Sequence, residues 1–145
     1  MNKKNFREFI RLRPIERHSL ILLTAGLMYI AMGISLIAIE PTHQPRTSLY
    51  YAFRMLPHEI WGIFFMLIGG TAILSGRWPT FSITWGYIVL TGFSGGWAAI
   101  YCLGALYAAG KSTAAIGALS WILITFLWWA LSGLINPPHR PKRRE

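Results

Sequence analysis

Hydrophobic positions in this chain are gathered into four long runs, at about residues 19–39, 57–75, 81–103 and 114–135, separated by short polar breaks that carry prolines and charges. A helix rises about 1.5 Å per residue, so a run of this length just crosses the roughly 30 Å hydrocarbon layer of a bilayer. Within that layer each backbone amide must find its partner inside the segment, which a helix provides. The pattern predicts an all-α, integral membrane four-helix (tetraspan) bundle. The first run, Ser19 to Ile39, carries no charge and is longer than the apolar part of a secretory signal. No small-x-small site follows at Ile39, Glu40 and Pro41, so it is expected to stay as an uncleaved anchor.

The breaks have patterns of their own. Residues 2–13 place Lys3, Arg7 and Arg11 on one helical stripe and Phe6, Phe9 and Ile10 on another. That arrangement suits a helix lying in an anionic headgroup layer and ended by Pro14, although a disordered basic arm would carry the same residues. Between the first two runs, Pro41, Pro45 and Pro57 interrupt the chain, and Leu49, Ala52, Phe53 and Leu56 recur at the spacing of one helical face after a possible cap at Thr47. A short helix flat on the outer interface is expected there, with Tyr50, Tyr51 and Arg54 at headgroup depth. Gly76-Arg77-Trp78-Pro79 is long enough only for a turn, making spans two and three a hairpin. Gly104 to Thr113, with Tyr107 and Lys111, is expected to be a plain outer loop.

Composition sharpens this reading. At 54% hydrophobic and 13% charged, the 145 residues carry more apolar surface than a small globule can hide, so lipid must cover the rest. The net charge of +9 could suggest nucleic acid, but the cations sit at span ends and tails, where the positive-inside rule explains them without such a partner. Of the 14 Lys and Arg, only Arg46, Arg54 and Lys111 fall on the predicted outer side. Both termini are therefore expected in the cytoplasm of a cell with an inner membrane. Residues 1–18 form a basic arm, 19–135 the membrane domain, and 136–145 a basic tail. Lys3, Arg7 and Arg11 of the arm and Arg140, Lys142, Arg143 and Arg144 of the tail are the expected contacts to anionic lipid.

Chemistry is sparse. There is no Asp, and no ionisable residue lies within the four predicted cores, where proton relays and substrate counter-ions would be found. His18, His43, His58 and His139 all lie outside those cores, which removes haem ligation inside the bundle. Cys102 is the single cysteine, so neither an internal disulfide nor a thiolate zinc site can form. No nucleophile elbow, P-loop or dinucleotide fingerprint is present, and neither a cofactor nor an enzymatic role is expected. One polar cluster is conceivable: Glu40, His43, His58 and Glu59 could meet on the outer face and hold a divalent metal, or an acid and a base for headgroup chemistry. Their spacing fits no metal motif, and water-solvated interfacial residues explain them as well.

The third run holds Gly86, Gly92, Gly95 and Gly96, including a GxxxG pair at Gly92 and Gly96. In lipid such glycines let another helix approach closely, so the tightest helix contact is expected here, against another span or a second copy. In the fourth run Ala114, Ala115, Gly117, Ala118 and Ser120 suit close packing, and Trp121, Phe126, Trp128 and Trp129 suit lipid.

In length, span count and charged ends (Lys3 to Arg17 and His139-Arg140-Pro141-Lys142-Arg143-Arg144), the chain resembles holin-like small membrane proteins of bacteriophages and bacteria. The resemblance implies oligomerisation into membrane lesions, with Thr84, Thr91, Ser94 and the glycines as the less apolar face of the third span. Phage exclusion and immunity membrane proteins look equally similar. Three functions follow: a membrane-embedded subunit or interaction protein acting through helix packing, a lesion-former, and an outer-face enzyme or carrier. The first asks least of the residues.

Overall fold

A computed structural model describes residues 16–38, 50–107 and 112–135, and all regular structure among them is helical. The elements are α1 (Arg17–Ile37), α2 (Tyr50–Met55), α3 (His58–Arg77), α4 (Ile83–Tyr107) and α5 (Ser112–Gly133). Four of these helices, α1, α3, α4 and α5, are long and apolar enough to cross a membrane, as the four hydrophobic runs predict.

Local chemistry accounts for where the helices begin and end. α1 starts at Arg17, earlier than the apolar run, because the Glu16 carbonyl already accepts from the Leu20 amide at 2.9 Å. α3 runs through Arg77 and closes with the Trp78 amide on the Leu74 carbonyl, since Pro79 disfavours helical geometry at the residue before it. The cationic side chain at Arg77 and the acidic one at Glu59 each sit at the helix end whose dipole favours them. α4 begins only after Ser82, whose hydroxyl accepts from the Thr84 amide at 3.3 Å in the manner of an N-cap. At its other end α4 continues through Gly104 to Tyr107, so the expected outer loop is shorter than Gly104 to Thr113: the glycine does not stop the helix, and it is buried.

The closest helix contact lies between α1 and α3, not along α4 as the glycine count suggests. Ser19, Gly26 and Gly33 recur at heptad spacing on α1, and Gly62, Gly69 and Gly76 do the same on α3. The two helices run antiparallel, so Ser19 meets Gly76, Gly26 meets Gly69 and Gly33 meets Gly62. A Cβ at Gly26 would stand 2.5 Å from the Gly69 carbonyl oxygen, and one at Gly33 equally close to that of Gly62. Backbones touch here, with Leu22, Ala25, Phe65 and Ala72 buried alongside. At one end the Ser19 hydroxyl donates to the Gly76 carbonyl at 2.7 Å, satisfying an acceptor that the helix terminus leaves open.

α4 packs against this pair through Tyr87, Leu90, Ser94 and Trp97, all buried. Gly86 stands at the three-helix junction, where a Cβ would come within 2.9 Å of Ser75 Cβ and 3.0 Å of Leu22 Cδ2. α5 lies antiparallel on α4, with Gly117 accepting the Tyr101 ring and Ala118 and Trp121 buried. Against expectation, the bulky Trp121 turns inward, while Ala115 and Ser120 from the small-residue end face outward. α5 is the outlying member: only 11% of its most apolar stretch is buried, against 33% for α1 and α3. An aromatic centre joins the two hairpins, with Phe65 edge-on to Phe93 at 4.8 Å and to Trp97 at 5.1 Å, and Tyr29 edge-on to Trp121 at 6.3 Å.

The short helix expected in the first outer loop is present as α2. Its Ala52 is fully buried and packs toward α4, and the Ala52 carbonyl accepts from the Trp61 indole N–H at 2.8 Å. Thr47 and Leu49 lie outside the described residues.

Candidate functional site

Two surfaces and one buried polar chain are the features on which a function could be built. On α4 the outward face carries Trp85, Ile88, Gly92, Gly96, Ala99 and Leu103 at helical spacing. At Gly92 and Gly96 an added Cβ would meet nothing within 4 Å. Among the described residues the GxxxG pair therefore makes no close contact, because α1, α3 and α5 occupy the other sides of α4. Gly95, one position round, makes only an ordinary contact of 3.5 Å to Thr125 Cγ2. It lines a groove of about 470 Å³ between α4 and α5, together with Thr91, Ala98, Cys102, Phe126 and Trp129. Of the four glycines singled out in the third run, Gly86 alone packs tightly inside the bundle.

The second surface is the start of α3, which carries two of the four residues expected to form an outer-face cluster. His58 and Glu59 occupy the first turn of α3, with His58 Nε2 3.4 Å from Glu59 Oε1 and the Glu59 side chain 54% exposed. Glu40 and His43 lie outside the described residues, and among those described no group of three or more potential metal ligands is gathered. The cations expected to meet anionic lipid, Lys3, Arg7, Arg11, Arg140, Lys142, Arg143 and Arg144, also lie outside. Arg17 and Arg77 do sit at one end of the bundle, flanking the Ser19–Gly76 contact, and the exposed Arg54 sits at the other.

The buried chain connects the hairpins at mid-depth. Ser94 donates to its own helix at the Leu90 carbonyl (2.7 Å), so the 2.5 Å contact with Tyr29 has the Tyr29 hydroxyl as donor and Ser94 Oγ as acceptor. Ser94 is thus fully buried, on the side of α4 opposite Gly92 and Gly96, and does not belong to an outward polar face. Nearer the Arg17 end, His18 Nδ1 lies 3.1 Å from the Tyr87 hydroxyl, a second polar tie between α1 and α4. Among the described residues, Ser75 Oγ is buried without a hydrogen-bond partner. No protein-family model, curated protein or solved structure matches the chain.

The residues that organise the fold, Ser19, Gly26, Gly33, Gly62, Gly69 and Gly76, are not among those the sequence reading selects. Their signal is legible in retrospect: small residues at heptad spacing in two consecutive runs, in registers that match when one run is reversed. The GxxxG pair at Gly92 and Gly96 is the denser glycine pattern, but it lies on the outward face of α4 and not in the contact between α1 and α3.

Proposed function

We propose that this chain is a non-enzymatic, multi-pass inner-membrane protein that works through helix packing, as a membrane-embedded subunit or interaction protein, with both termini in the cytoplasm. The observation that carries the proposal is the outward face of α4, where Gly92 and Gly96 leave the backbone open and no helix among the described residues covers it. Association in lipid depends on close packing and interhelical hydrogen bonds, and small residues give the closest approach. A second copy or another membrane subunit would be seated there.

The topology rests on charge. Arg17 and Arg77 lie at the same end of the bundle and Arg54 at the opposite one, and in sequence the basic arm precedes Arg17 and the basic tail follows the last helix. Positive-inside sorting places the Arg17 and Arg77 end in the cytoplasm, beside anionic lipid.

Packing is favoured over a water-lined lesion by the fate of the hydroxyls. Thr24, Ser35, Thr71, Ser120 and Thr125 each donate to the carbonyl one turn earlier on their own helix, at 2.8–2.9 Å. A hydroxyl satisfied in this way asks little of water and is compatible with lipid.

The test is exchange of Gly92 and Gly96 for Ile in the full chain, followed by crosslinking in native membranes. Loss of the crosslinked oligomer or complex, with the monomer's helicity and thermal transition unchanged, is the expected result. Undiminished crosslinking with both isoleucines in place would overturn the proposal. Expression of the unaltered chain should leave membrane potential intact, and collapse of the potential would favour the lesion reading instead.

A further inference from the structure

We draw no further inference here: the strongest candidate, the crevice of about 340 Å³ between α1 and the α4–α5 hairpin lined by Met32, Ser35, Phe65, Trp97, Tyr101 and Trp121, is an apolar recess open to its surroundings, and nothing in the structure shows what covers it.

Discussion

At the scale of single residues, glycines in this chain do opposite jobs according to what stands opposite them. Gly26 and Gly69 face one another's carbonyl oxygens, so a methyl group at either must push two backbones apart. Gly26→Ala or Gly69→Ala should destabilise the fold by about 1–3 kcal/mol, the usual cost of overpacking, and the loss should appear as a lowered midpoint in a detergent denaturation series. Gly92→Ala meets open space and should leave that midpoint unchanged or slightly raised, because glycine is the weaker helix former. The Tyr29–Ser94 pair has a built-in asymmetry. Tyr29→Phe removes a donor yet leaves Ser94 bonded to the Leu90 carbonyl, whereas Ser94→Ala strands the buried Tyr29 hydroxyl. The first change should cost under about 1 kcal/mol and the second about 1–3 kcal/mol, the range for an orphaned buried polar group. Equal costs in the same denaturation assay would contradict the donor assignment.

At the scale of helices, α1 and α3 form the tightest unit and α5 the loosest. Contact between α1 and α3 is backbone to backbone along the Gly26–Gly69 and Gly33–Gly62 steps, while α5 rests on α4 through Gly117, Ala118 and Trp121 and leaves most of its circumference outward. Amide hydrogen exchange in micelles should therefore be slowest around Gly26 and Gly69 and should speed up first in α5 as denaturant is added. If α5 were the last helix to exchange, the hierarchy would be inverted. The helices themselves were legible in the sequence, since apolar runs about as long as the bilayer's hydrocarbon core is thick leave little choice of structure. Their ends shifted by a residue or more where capping decided the matter: Ser82 delayed α4, and Pro79 set the end of α3 after Arg77. The short helix α2 was legible from the recurrence of Leu49, Ala52, Phe53 and Leu56 at the spacing of one helical face. Its hydrogen bond to Trp61 was not, because that partner belongs to the next helix.

At the scale of the whole molecule, the two ends of the bundle differ in charge, and topology is the property this controls. With Cys102 replaced by Ser, single cysteines introduced at Arg17 and Arg77 should be reached by a membrane-impermeant thiol reagent from the cytoplasmic side only, and one at Arg54 from the outer side only. Labelling of all three from the same side would contradict four spans. Span number, span length and the bias of charge toward one end were determined by the sequence itself, because the transfer of apolar residues and of cations between water and lipid depends on local composition and not on neighbours. The tertiary structure alone decided which small residues are contacts. Glycine has no side chain to announce a preferred face, so Gly26, Gly33, Gly62 and Gly69 become an interface only once α1 and α3 align antiparallel in matching register, and Gly92 and Gly96 become a surface only because every neighbouring helix among the described residues is seated on another side of α4.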